Sequence, residues 1–228
     1  MKNTISNGIR LILFSLATAV AVAAPVDVSK YPQAIRVACV GDSITQGSDA
    51  ERGKAYPGQL QEMLGDKWSV RNFGVSGRTL LKKGDHPYWS EKAYQQALDF
   101  APDVVVIMLG TNDTKPANWG HFDEFYADYK ELVKSFKLLK SKPLVYVCRP
   151  CPVPGTGNYG INETNLLLEI PLIDKLAREE NLGVIDMHAA LVAKPLLMPD
   201  RVHPNTEGAR VMAGTVYHEL TGRTPPPD

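Results

Sequence analysis

Three side chains from opposite ends of the chain could do covalent chemistry together. Ser43 lies in Val40-Gly41-Asp42-Ser43-Ile44-Thr45, and Asp200 and His203 lie in Pro199-Asp200-Arg201-Val202-His203-Pro204. A serine hydroxyl is a poor nucleophile until a base takes its proton. Imidazole suits that task, and a carboxylate then fixes its tautomer and stabilises its charged form. Asp and His three residues apart on a turn can point to one side, so the carboxylate can approach Nδ1 while Nε2 faces the serine. Each segment alone has a plainer explanation: Gly, Asp and Ser belong in strand-to-helix turns, and the Asp200 segment reads as a solvated loop before a helix. Together the three groups ask for acyl transfer.

Acyl transfer also needs donors for an oxyanion. Asn72-Phe73-Gly74-Val75-Ser76-Gly77 offers a glycine, where a ligand oxygen can come close to the backbone N–H, and Gly110-Thr111-Asn112-Asp113 offers a side-chain amide. The expected oxyanion hole is the N–H of Ser43, the N–H of Gly74 and the amide of Asn112.

These residues must be positioned by strands and helices in alternation. Short runs rich in β-branched residues at 35–40, 68–73, 104–109, 144–147 and 184–185 predict five strands, and near-continuous apolarity in three of them predicts burial on both faces. Between them, apolar residues at steps of three and four predict helices over 122–140, 163–180 and 206–220, with Pro171 expected to kink the second or restart it. The pattern implies an α/β fold: a parallel sheet in a three-layer α/β/α sandwich with right-handed crossovers. In a 2-1-3-4-5 strand order, Gly74 and Asn112 would flank Ser43 from opposite sides, beyond the carboxyl ends of the strands.

The blocks Gly41-Asp42-Ser43-Ile44, Gly74, Gly110-Thr111-Asn112-Asp113 and Asp200-Arg201-Val202-His203 occur in the order seen in SGNH hydrolases, also called GDSL-type esterases and lipases. The resemblance spans 24–222, with Ile44 in place of the leucine of the family's name. It implies a flavodoxin-like fold with a five-stranded parallel sheet and ester hydrolysis without a metal or other cofactor. It casts Ser43 as nucleophile, His203 as base, Asp200 as its partner, and Gly74 and Asn112 as oxyanion donors. The α/β-hydrolases share the Ser, Asp, His order, but Thr45 stands where their nucleophile elbow needs a second glycine. The stretch Gly77 to Trp89 further resembles the bacterial sialate O-acetylesterase-like, carbohydrate-acting branch. Asp42, Arg78 and Trp89 are therefore expected at the substrate, and Lys82, Lys83, Tyr88, Trp119 and Tyr159 could line or stack at the mouth. The plainer expectation for these aromatic side chains is loop anchoring and helix packing. The expected substrate is a short acyl ester, acetyl foremost, on a small molecule or oligosaccharide. A lipid or thioester hydrolase would need a long apolar acyl groove, and a non-catalytic carbohydrate-binding domain would be expected to have lost a triad member.

Other motifs lack their context. Gly155-Thr-Gly157-Asn-Tyr-Gly160 has the spacing of a dinucleotide loop, but prolines separate it from the preceding strand. Gly47 to Ala55 resembles a phosphate loop with one residue too many and with Ala55 in place of the magnesium-binding hydroxyl. Cys148-Arg-Pro-Cys151 could be a redox pair, a metal half-site or, the plainest reading for an exported protein, a short disulfide bracing a loop and worth about 2 kcal/mol; Cys39 is expected to be a buried small hydrophobe.

Lysine plus arginine and aspartate plus glutamate number 25 each, so no basic excess points to nucleic acid or an anionic membrane. Lys2 and Arg10 precede the apolar run from Leu11 to Val22 and a small-residue Ala21-Val22-Ala23 site, which predicts a signal peptide over 1–23 and no membrane anchor after processing. The predicted location is periplasmic or extracellular. Asn112-Asp113-Thr114 is a glycosylation sequon, and a glycan there would consume the oxyanion amide, so bacterial export is expected. Residues 223–228, rich in proline, are expected to be a flexible tail.

Overall fold

In a computed structural model of the chain, residues 24–227 are described, and the expected signal peptide lies outside them. Five parallel strands form one sheet: β1 (Ile35–Gly41), β2 (Trp68–Gly74), β3 (Val104–Met108), β4 (Leu144–Arg149) and β5 (Gly183–Asp186), in the order β2-β1-β3-β4-β5. The helices are α1 (Ser43–Gln46), α2 (Tyr56–Leu64), α3 (Lys92–Asp99), α4 (Pro116–Trp119), α5 (Phe125–Lys137), α6 (Glu163–Glu180), α7 (Met187–Leu191) and α8 (Thr206–Thr221).

Alternation along the central strands builds two cores. Val37 and Cys39 of β1 and Val104 and Val106 of β3 face α2 and α8, against Tyr56, Leu60, Met212 and Val216. Ala38 and Val40 of β1 and Val105 and Ile107 of β3 face α3, α5 and α6, against Ala97, Tyr129, Phe136 and Ile173. All five residues of β3 are buried, as a strand covered on both faces requires.

The aromatic stripe expected over 122–140 folds as a 3₁₀ turn at Phe122–Glu124 followed by α5. Pro171 does not break α6: its missing N–H would have met the carbonyl of Leu167, and Leu167 is exposed, so water can serve that carbonyl. Pro225 and Pro226 of the C-terminal tail meet α8. Arg210 donates to the Pro226 carbonyl at 3.3 Å, and Pro225 lies beside Gly214 of α8. Val26 donates its N–H to the carbonyl of Leu220 at 2.8 Å, joining the start of the described chain to the last turn of α8. No described helix is long and apolar enough to cross a membrane.

The three cysteines correct the expected disulfide. Cys148 sits inside β4 and Cys151 packs on Met212 with Sγ 3.8 Å from Sδ; both are buried and free, as is Cys39. A strand that spends Cys148 on the sheet core leaves the pair no shared loop to brace.

Candidate active site

The end of β1 delivers the serine. Gly41 has no room for a side chain, since a Cβ there would stand 2.6 Å from the carbonyl of Met108 on β3. Asp42 caps α1 by accepting the Ile44 N–H on Oδ1 at 2.9 Å, and Ser43 begins the helix. Ser43 Oγ lies 2.8 Å from His203 Nε2, and His203 Nδ1 lies 2.6 Å from Asp200 Oδ2. The other carboxylate oxygen of Asp200 accepts the N–H groups of Val202 and His203 at 2.9 and 2.7 Å. Burial would raise the pKa of Asp200, but these N–H groups and the facing imidazole outweigh it and hold the carboxyl below its ordinary value of 3.8. The turn that presents the pair leads directly into α8, capped by Asn205, whose Oδ1 accepts the Gly208 N–H at 2.9 Å.

Gly74 and Asn112 lie on either side, as the strand order requires. Gly74 packs on the first turn of α1 so closely that a Cβ would stand 2.4 Å from the backbone N of Gln46. Its N–H donates to Asn72 Oδ1 at 2.8 Å. The Asn112 amide donates to the Arg78 carbonyl at 3.1 Å and, over a longer 3.3 Å, to Asp42 Oδ2. Both donors therefore have internal acceptors. The N–H of Ser43 is at the first position of α1, among those a helix cannot pair within itself.

The side chains of the residues expected at the substrate are engaged by protein neighbours. Asp42 is 1% exposed and turned inward, and burial pushes its carboxyl up to about 6 despite the Ile44 N–H, the nearby imidazole and the Asn112 amide. Arg78 contributes its carbonyl to Asn112, while its guanidinium is held by Glu91 at 2.7 Å and by the Ser76 carbonyl. Trp89 donates its indole N–H to Leu80, and the Lys82 ammonium covers its ring at 4.4 Å. Lys82 and Lys83 pair with Glu131 and Glu124. Short-range sequence patterns show residue types but not these pairings across the loop.

Asp113 was expected only as part of a block, and its position explains its presence. It accepts the N–H of Leu80 at 3.0 Å and of Leu81 at 2.7 Å, tying the loop after β2 to the loop after β3; burial pushes its carboxyl up to about 7. Asn118 extends the tie, bonding Asp85 and the Asn112 carbonyl. Sequence reasoning also missed Asp49, an exposed carboxylate that has an oxygen within 4.8 Å of donor atoms on Asp200 and His203. Asp200 and His203 are already bonded to each other, so a cation there would have to break that bond.

The arrangement can move a proton from a hydroxyl to an imidazole whose far nitrogen faces a carboxylate, beside helix and amide donors. A family model described as the GDSL-like lipase/acylhydrolase family matches residues 39–211. The chain is 41% identical over 201 residues to a protein named acetylxylan esterase from Xylanibacter ruminicola, covering 79% of this chain and 42% of that protein. It thus spans less than half the length of that relative. Among solved structures, the acetyl xylan esterase AlAXEase is 26% identical with a TM-score of 0.65, covering 82% of this chain and 100% of that one. A carbohydrate acetylesterase family member from Sinorhizobium meliloti is 23% identical with a TM-score of 0.67, covering 83% and 100%, a likeness of fold alone.

Proposed function

Because the chain belongs to the GDSL-like lipase/acylhydrolase family, we propose that it is a serine esterase that removes short acyl groups, acetyl foremost, from carbohydrates. The observation that carries the reading is the unbroken relay from Ser43 Oγ to His203 at 2.8 Å and from His203 to Asp200 at 2.6 Å. The acetyl and carbohydrate preference draws its support from the relative named acetylxylan esterase.

In this mechanism His203 Nε2 takes the Ser43 proton as Oγ attacks the ester carbonyl. Asp200, held ionised by the N–H groups that face it, stabilises the imidazolium. The carbonyl oxygen becomes an anion and is a stronger acceptor than the groups its donors hold at rest. The Asn112 amide gives up its long bond to Asp42, the Gly74 N–H turns from Asn72, and the Ser43 N–H is already at hand. His203 then protonates the departing alcohol. A water, deprotonated by the same imidazole, attacks the acyl-Ser43 ester, and collapse of the second tetrahedral intermediate releases the acid and restores the serine.

Export of the domain, by a signal peptide over 1–23, is part of the same proposal and rests on the charge and apolar pattern of that segment. The test of the chemistry is hydrolysis of p-nitrophenyl acetate, butyrate and octanoate by the wild type and by Ser43→Ala. Fastest cleavage of acetate, abolished in Ser43→Ala, is the expected result. Equal rates in the two proteins overturn the serine mechanism, and fastest cleavage of octanoate replaces the carbohydrate reading with a lipid one.

A further inference from the structure

We propose that the ring of Tyr159 is the platform on which the sugar bearing the ester stacks, and that it gives the site its preference for a cyclic alcohol. The inference rests on the esterase reading above and adds to it where the alcohol half of the substrate lies. His203 must protonate the departing oxygen, so that oxygen sits within about 3 Å of Nε2 and the alcohol extends past the imidazole. Tyr159 flanks that imidazole, its ring centroid 5.8 Å from that of His203 and inclined to it by 55°, with its hydroxyl toward Asp200.

Its exposure singles it out. Tyr159 is 60% exposed, and among the described residues no other Phe, Tyr or Trp side chain is exposed. The other aromatic candidates are occupied: Tyr88 is buried with its hydroxyl on the Phe73 carbonyl, Trp89 is covered by Lys82, and Trp119 stacks on Phe122 at 4.2 Å. An exposed ring beside a polar relay offers the apolar C–H face of a pyranose what water cannot.

The ring is also held in place. Tyr159 has φ +55°, a left-handed backbone unusual for a tyrosine, and it sits between Gly157 and Gly160, also at positive φ. Asn158 accepts the Tyr159 N–H at 2.9 Å and donates to the Asp200 carbonyl at 3.2 Å, while Arg201 donates to Thr156 Oγ1 at 2.8 Å. Beneath, Val153, Ile161 and Leu166 share a small core with Val202. The platform and the turn carrying Asp200 and His203 are therefore one packed unit, and a sugar on Tyr159 is placed relative to Nε2 without a moving loop.

The test compares kcat/KM for acetylated xylooligosaccharides and for ethyl acetate, whose alcohol has no ring to stack, in the wild type, Tyr159→Ala and Tyr159→Phe. Tyr159→Ala should lose about tenfold more on the sugar ester than on ethyl acetate, through KM; Tyr159→Phe, which keeps the ring and loses only the hydroxyl that faces Asp200, should keep the wild-type ratio between the two substrates. An equal loss on both substrates would make Tyr159 a support of the triad, and no loss on the sugar ester would remove it from recognition; either overturns the platform. A wild type that cleaves ethyl acetate but not the sugar ester instead overturns the carbohydrate reading, and the platform with it.

Discussion

The carboxyl of Glu169 fills the space that a side chain at position 110 would need: a Cβ on Gly110 would stand 2.4 Å from Glu169 Oε2. Glu169 is fully buried on α6, and neither of its oxygens has a hydrogen-bond partner within the described residues. Burial, with Asp113 and Asp42 nearby, pushes its carboxyl well above 4.5. As pH rises from about 4.5 toward that raised value, the unfolded chain releases a proton that the folded protein keeps, so stability falls through this window. Glu169→Gln, which has no proton to lose, should therefore melt higher than wild type at pH 8, by roughly 2–4 °C for each kcal/mol recovered, with the gain shrinking toward pH 5. Thermal melts across that range check the sign.

The relay and the oxyanion donors should separate kinetically. Asp200→Asn leaves the shape but loses the charge that orients His203, and kcat should fall about 10⁴-fold. Asn112→Ala removes one oxyanion donor, and kcat should fall about 10²- to 10³-fold. Steady-state kinetics on p-nitrophenyl acetate, with melting curves to confirm folding, measure both.

Gly74→Ala should reduce activity although it keeps the N–H assigned to the oxyanion. Its Cβ would meet the backbone of Thr45 and Gln46 at 2.8 and 2.4 Å, and backbone cannot step aside cheaply. The strain would push α1, and Ser43 with it, away from His203; a shift near 1 Å costs on the order of 10² in rate. A near-wild-type kcat would show that β2 does not set the position of the serine.

The thiols should be inert in the folded protein. Burial pushes Cys39 up to about 12 and raises Cys148 and Cys151 well above the ordinary thiol value, so none offers a thiolate at neutral pH. A thiol reagent should find none in the native state and all three after denaturation, and a reductant should leave the melting temperature unchanged.

The parallel α/β sheet could be read from strand periodicity, and the set Ser43, Asp200 and His203 from residue type and chain order, whereas the 2-1-3-4-5 strand order came from the family resemblance. What sequence could not provide were pairings between backbone and distant side chains. Asp113 reads as a turn residue until the Leu80 and Leu81 N–H groups appear against it. Gly74 reads as a free donor until Asn72, two residues earlier, is found holding it. Glu169 did leave a trace: it lies three residues after Leu166 and four before Ile173, on the apolar stripe of α6, where a carboxylate is out of place.

The bond between Val26 and Leu220 has a bearing on what this domain can be attached to. The 16 residues of α8 span about 24 Å, and the helix starts beside His203 and ends at Leu220 and Thr221. The start of the described chain therefore lies a helix length away from the mouth, whereas the proline tail turns back along α8, with Pro225 at Gly214 and Pro226 at Arg210. A neighbouring module joined ahead of Val26 would leave the path of a polymeric ester to Ser43 clear, while one joined after the tail would leave from beside the first half of α8.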